Sequence, residues 1–553
     1  MSGRLSARLG PLAAGVGLVL LCLALFLPGL RSIPVLDRDE ARYAQATRQM
    51  LESGDFVDIR FQEVPRYKKP IGIHWLQAAA VGLSGWSRDD IAPYRIPSLL
   101  GAIAAVLLTA WAGAPLFGWQ TGCLGAAMLA SSLLLCVQAR LATTDAVLLA
   151  TVVAAEGAMA RAYLGVPSVA RRGWVLFWAA IGAGVLIKGP IILLVCGSTA
   201  LALSTIDRSL SWLGRLRPLR GSVLALSIAA PWLLAIGWKT GGRFFVDSVG
   251  HEFLGKLVEG QELHAAPPGY HLLAFWLAFW PFSFLAASAA SWAWARRDRP
   301  AVRLCAAWIV PSWIVFEIAA TKLPHYVLPL YPPIALLAAG ALREIVSVGG
   351  VRWRRASLAL LAATSAGLVL AVLLASIVLE RRFEPLALAG AIACSVCLLA
   401  GVRLFLVGTE GFRNSPWSAA SLIAGAAVLY AAAFGVVAPR LDSFWMSRRV
   451  GALVAQVRAC PETVVAAVGY HEPSLVFTLG TDTKLVGPKL AARHLAENPR
   501  CALALATAAD EPDLLREMEQ QSVTGVRLGE VRGLDYSIGR RMTLSLWRAA
   551  SPP

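Results

Sequence analysis

Long apolar runs recur along the whole chain, at about 11–30, 94–115, 118–137, 144–164, 173–188, 190–206, 221–238, 270–291, 302–319, 326–343, 356–379, 384–408 and 417–437. A helix needs roughly 20 apolar residues to cross the hydrocarbon layer, so the pattern predicts about thirteen spans. Such a chain is confined to a helical bundle, because backbone polar groups in lipid must be satisfied within the segment. Of the 553 residues 57% are hydrophobic and 15% charged, where a soluble domain carries about 25% charge. The reading is a polytopic α-helical membrane protein.

The formal net charge of +17 raises the question of nucleic acid. Its distribution excludes that partner. Arg161, Arg171, Arg172, Arg208, Arg215, Arg217, Arg220, Arg296, Arg297, Arg299, Arg303, Arg343, Arg352, Arg354 and Arg355 crowd into short loops between apolar runs. Those loops carry few acids and read as the inner face of the membrane. The first run lacks a small-residue cleavage site, so it is read as a retained span. The outer face then receives the loop 31–93, the turn near Arg140, the loop 239–269, the turn at Lys322 and everything after 438. Within the first loop, "IGIHWLQAAAVGLSGW" at 71–86 reads as an interfacial helix. Every lysine falls on the outer side: Lys68, Lys69, Lys188, Lys239, Lys256, Lys322, Lys484 and Lys489. Lysine is a compact point charge suited to phosphate.

The predicted division is a membrane domain over 1–437 and a small outer α/β domain over 438–553. In the latter, "TVVAAVG", "CALALAT" and "MTLSLWR" read as strands, and "MSRRVGALVAQVRA" and "ADEPDLLREMEQQ" as helices. Export would permit a Cys460–Cys501 disulfide, with two free thiols as the alternative. Cys394 and Cys397 form a CxxC inside an apolar run, where packing is the plainer role.

Charge gathers just past the first run, in "DRDEARYAQATRQML". If 39–53 is helical, Asp39 and Tyr43 share a face and Glu40 points elsewhere. Arg42, Tyr67, Lys68 and Lys69 lie in the same loop. A carboxylate beside phosphate-binding cations suits group transfer from a phosphate leaving group: the acid orients or deprotonates the acceptor, and the cations stabilise the departing charge. Asp145 opens the fourth run, either as a site acid or as a helix-start residue favourable to the dipole. Arg140 is a phosphate ligand or a topology residue, and Lys188 a ligand or a snorkelling side chain. Lys322, His325 and Tyr326 cluster in "TKLPHYVLPLYPP". His251, Glu252 and His264 are candidate metal ligands, although their spacing fits no tight zinc motif.

In order, "DRDEARYAQATRQMLESGDFV", "PRYKKPIGIHWLQ", "RLATTDA", "LIKGP" and "TKLPHYVLPLYPP" resemble the bacterial lipid A aminoarabinose transferases. These lie within the protein O-mannosyltransferase-like superfamily. The resemblance covers roughly 1–340 by motif and implies a C-type glycosyltransferase fold. It further implies transfer of 4-amino-4-deoxy-L-arabinose from undecaprenyl phosphate to a lipid A phosphate on the periplasmic face of the inner membrane, giving resistance to polymyxin and cationic peptides. Asp39, with Glu40 beside it, and Asp145 take the places of the family's acids. Lys69 takes the place of its loop lysine before proline, Lys322 and Tyr326 those of its lysine and tyrosine near the tenth span, and Lys69, Arg42 and Lys322 are expected to hold the donor phosphate. Where the family often has an acid, this chain has Lys68. The expected partners are the lipid-linked donor, lipid A and membrane lipids. No cofactor is required, and a divalent metal is left open. The alternatives are a related transferase with another sugar or a hydroxyl acceptor, and a lipid transporter, which fits many spans but not charge gathered at one face.

Overall fold

The computed structural model describes residues 2–166, 172–248, 250, 266–344, 351–407 and 416–550. Among the described residues eight helices are long and apolar enough to cross a membrane: Ala92–Phe117, Asp145–Leu164, Pro218–Lys239, Pro300–Ile318, Pro324–Arg343, Arg355–Glu380, Pro385–Leu404 and Trp417–Arg440. Three more apolar helices, Gly10–Phe26, Gly173–Lys188 and Ile191–Asp207, are shorter. The two remaining apolar runs are interrupted, which departs from the expectation of continuous spans. The run 118–137 breaks at Ser132, whose backbone is extended and whose hydroxyl donates to the Leu129 carbonyl. The run 270–291 breaks between Tyr270–Ala278 and Ala286–Ala295, around Pro281, which has no N–H to continue a helix.

The site rests on the first ten α-helices, α1 (Ser2–Phe26), α2 (Asp39–Ser53), α3 (Gly72–Ser84), α4 (Ala92–Phe117), α5 (Trp119–Ser131), α6 (Leu133–Gln138), α7 (Asp145–Leu164), α8 (Gly173–Lys188), α9 (Ile191–Asp207) and α10 (Pro218–Lys239), together with the 3-10 helix Pro324–Leu330. Helices α4 and α7 pack closely because Gly101 sits at their crossing. A Cβ there would stand 2.8 Å from the Val147 Cα, so only glycine lets the backbones approach.

The loop between α1 and α4 is folded onto the bundle. Helix α2 begins with Asp39 and Glu40, favourable to its dipole. It ends at Gly54, left-handed at φ 71°, whose N–H caps the Met50 carbonyl. A short hairpin of β1 (Arg60–Phe61) and β2 (Val64–Pro65) follows. Helix α3 lies where the interfacial helix was expected, with His74 and Gln77 buried. The Thr47 hydroxyl on α2 meets His74 Nδ1 at 2.8 Å and Gln77 Oε1 at 2.7 Å. Thr47→Val leaves both without that partner and should cost about 1–3 kcal/mol, read as a lower midpoint of thermal unfolding in detergent. Burial holds His74 down from 6.5 to about 3, with Arg66 adding to the effect. The unfolded chain therefore binds the extra proton as pH falls below about 6.5, and that part of the stability is lost toward pH 3. The midpoint should drop between about pH 6.5 and 4, and less so in His74→Gln.

After the last long helix, β3 (Val464–Val468) runs parallel to β4 (Lys484–Leu485) and β5 (Ala502–Thr507). Strand β7 (Arg540–Ala549) is antiparallel to both β5 and β6 (Gly525–Asp535), giving the order β4-β3-β5-β7-β6. Val450 and Val454 of the helix Met446–Val457 cover one face. Leu495, Leu514 and Met518 cover the other. Cys460 and Cys501 form a disulfide, Cα to Cα 5.4 Å, joining the entries to β3 and β5.

Candidate active site

Helix α2 presents its two leading acids in opposite directions. Asp39 is open, with its side chain 59% exposed. Its named partner is Arg66, Nη2 to Oδ1 3.5 Å, and the Arg66 guanidinium lies 4.7 Å over the Tyr43 ring. Tyr43 is buried, 5.5 Å from the His74 ring, so the predicted common face of Asp39 and Tyr43 exists and Arg66 spans it.

Glu40 is a correction. Its carboxylate is buried and receives Arg95 Nε and Nη2, both at 2.8 Å. The amides of Ala142 (2.8 Å) and Leu36 (2.9 Å) complete its shell. Arg95 also donates to the carbonyls of Leu30, Ile33 and Pro34 at 2.7, 2.7 and 3.0 Å. With every lone pair directed at a protein donor, Glu40 fastens the loop to α4 and does not face a substrate.

Three further candidates are committed to the scaffold. Arg140 is buried. Its Nε donates to the Pro28 carbonyl at 2.7 Å, its other nitrogens to Cys136 and Leu25, and its plane covers Phe434. It ties α1 to α6 and is not an open phosphate ligand. Lys322 is buried and donates to the carbonyls of Ala266 and Ala319, each at 2.7 Å. Tyr67 packs edge-on to Phe244. Burial first, then Asp58, pushes its hydroxyl up to about 12. Snorkelling does not explain Lys188, because its ammonium meets Asp145 at 2.5 Å with both side chains nearly buried.

The remaining candidates converge. Asp145 heads α7, with His325 Nε2 3.9 Å from its Oδ1. The Lys188 ammonium also stands 5.7 Å over the Tyr326 ring. Lys69 and Asp39 both act electrostatically on His325, and Lys69 on Asp145 as well. Lys68 is half-buried. Arg42, half-buried on α2, extends its charge to Glu472. His251, Glu252 and His264 lie outside the described residues. The neighbouring His271 is buried, 3.2 Å from the Leu323 carbonyl and 3.6 Å from Glu317.

Two groups went unread in the sequence, Arg95 and Arg66. Arg95 carried a signal, since a lone arginine in the first turns of a long apolar helix demands a partner. Together, Asp39, Arg66, Lys69, Asp145, Lys188, His325 and Tyr326 place two carboxylates and several cations at one end of the bundle. This arrangement can hold a phosphate and orient a second reactant.

A family model for dolichyl-phosphate-mannose-protein mannosyltransferase matches residues 68–234. An undecaprenyl phosphate-α-4-amino-4-deoxy-L-arabinose arabinosyl transferase of Pseudomonas paraeruginosa is 30% identical over 320 residues, 55% of each chain. Its counterpart in Erwinia tasmaniensis is 29% identical over 309 residues, 54% of each. The match therefore spans about half the length of these curated relatives. The fold likeness is wider. The crystal structure of ArnT from Cupriavidus metallidurans bound to undecaprenyl phosphate superposes with a TM-score of 0.75 at 21% identity, covering 97% of this chain and 98% of that one. The archaeal oligosaccharyltransferase AglB from Archaeoglobus fulgidus follows at 0.51 and 11%, covering 99% and 74%. In sequence over about half its length this multi-span membrane protein is similar to undecaprenyl phosphate-aminoarabinose arabinosyl transferases, and it shares the fold of the ArnT crystal structure over nearly its whole length.

Proposed function

We propose that this chain transfers 4-amino-4-deoxy-L-arabinose from undecaprenyl phosphate to a phosphate of lipid A, at the periplasmic face of the bacterial inner membrane. The observation that carries the reading is the open Asp39 carboxylate beside Arg66, at the same end of the bundle as the Asp145–Lys188 pair. The acceptor phosphate is already ionised near neutral pH and needs no strong base. One of its oxygens attacks the anomeric carbon as the bond from that carbon to the donor phosphate oxygen breaks. The electron pair leaves with undecaprenyl phosphate, and in-line attack inverts the anomeric centre. Lys69, with Arg66 and Tyr326, holds the donor phosphate. Asp39 and Asp145 orient the reactants or bind the sugar ammonium.

The same reading gives the chain about thirteen crossings, counting the three short helices and the two interrupted ones. It places 438–553 as an α/β domain in the periplasm. The Cys460–Cys501 disulfide supports that side, since such bonds persist in oxidising compartments. A second reading keeps the fold and the phosphate chemistry but changes the sugar. Lys68 favours it, because a cation there disfavours an ammonium-bearing donor.

Purified protein incubated with undecaprenyl-phosphate aminoarabinose and lipid A should yield lipid A heavier by one aminoarabinose residue. An unchanged lipid A mass, with donor and acceptor intact, sinks the aminoarabinose reading. A gain only with another polyprenyl-phosphate sugar establishes the second.

A further inference from the structure

The turn that delivers Asp39 is held from the far end of the chain. Strands β6 and β7 are joined by a tip at 536–539. The Tyr536 hydroxyl oxygen accepts the Asp37 N–H at 2.7 Å, and the Arg38 guanidinium donates to the Ser537 carbonyl. The Ser474 N–H donates to Asp37 Oδ1 at 3.1 Å. Between these contacts, Arg38 adopts φ 66° and ψ −117°, a conformation that a residue with a side chain rarely takes and that persists only when its surroundings impose it. Asp39 follows immediately as the first helical residue. Among the described residues its exposed side chain meets Arg66 at a long 3.5 Å, so its position depends on the backbone beneath it.

The grip is itself well supported. The Tyr536 ring packs against Phe444 and Trp445, with centroids at 5.8 and 6.4 Å. The Asp535 carboxylate accepts the Ser537 N–H at 2.9 Å and fixes the tip. The Leu534 N–H donates to the Ser443 carbonyl at 2.7 Å, and Ser443 is held by Glu380 at the end of a long apolar helix.

We propose that Tyr536, with the Ser537 carbonyl and the Ser474 amide, is a positioning residue that sets Asp39 for the transfer through the Asp37–Arg38 turn. The proposal rests on the reading of Asp39 as an acid of the site. Without the Tyr536 hydroxyl the strained Arg38 relaxes toward negative φ and swings Asp39 away from the reacting groups.

The test compares full-length wild type with Tyr536→Phe, which keeps the packed ring and removes the hydroxyl. The kcat for transfer should fall roughly ten- to a hundredfold, as misplacement by about an ångström does. The KM for the lipid-linked donor should stay within about twofold, because Lys69 and Tyr326 keep their hold on the donor phosphate and Asp145 remains in place for the sugar. Amide hydrogen exchange at 37–42 should speed up roughly tenfold while 446–457 keeps its protection. Arg38→Ala, which removes the second hold, should act in the same direction and serves if the first variant folds poorly. An unchanged kcat, a rise in KM alone, or unchanged exchange at 37–42 overturns the proposal. If wild type transfers no sugar at all, the proposed reaction fails, and the exchange comparison still decides whether the tip holds the turn.

Discussion

Asp39→Asn should lower transfer by roughly 100- to 1,000-fold and leave folding intact. The side chain is 59% exposed, and its ion pair with Arg66 is long at 3.5 Å, so removing the charge forfeits little stability. The substitution keeps shape and hydrogen-bonding capacity and removes only the negative charge. If Asp39 served merely to complement the dipole of α2, the loss would be a few tenths of a kcal/mol in stability, with no change in rate. Single-turnover transfer by purified enzyme, with the donor preloaded, separates the two. Lys69→Ala in the same background should add a rise in the KM for donor. Full activity in the double variant would remove Asp39 and Lys69 from the site.

Arg95→Met should cost the folded protein. The guanidinium is fully buried, pairs with Glu40 through two parallel bonds and donates to three carbonyls. Removing one partner of a buried pair leaves a charge without compensation and costs about 3–5 kcal/mol, a large part of a typical total of about 5–15 kcal/mol. Glu40→Gln should be milder, because the amide still accepts from some donors. Replacing both residues with apolar ones should not restore wild-type stability: Leu30, Ile33, Pro34, Leu36 and Ala142 would all lose partners. Yield of monodisperse protein and the thermal midpoint in detergent are the measurements. A stable but inactive Arg95→Met would instead return Glu40 to the chemistry.

Much of this molecule is legible in its sequence because lipid imposes a simple rule. Apolar runs had to be helices, and most appear within a few residues of where hydropathy puts them. The rule fails at Ser132 and Pro281, where local hydrogen bonding and a missing N–H interrupt a helix without changing its hydropathy. The convergence of Asp39, Lys69, Asp145, Lys188, His325 and Tyr326 was legible as polar residues at the same ends of apolar runs. What sequence does not separate is a polar group facing a cavity from one consumed by the scaffold. Asp39 and Glu40 are neighbours with the same chemistry and opposite fates, decided by Arg95, a residue 55 positions away. Arg140 and Lys322 mislead for the same reason: a cation at a helix end is as useful to carbonyls as to a phosphate.

The loop between α1 and α4 also carries a cost in time. Gln45, Arg48 and Gln62 donate to Thr481 and to the carbonyls of Phe477, Thr481 and Thr483, more than 400 residues downstream. Asp37 waits for Tyr536, 499 residues later. At about 5–20 residues per second, the loop emerges roughly 20 to 100 seconds before its partners are synthesised. During that interval these polar groups face water or a chaperone. A chain ended by a late stop codon would keep every long apolar helix and still leave the loop unclasped.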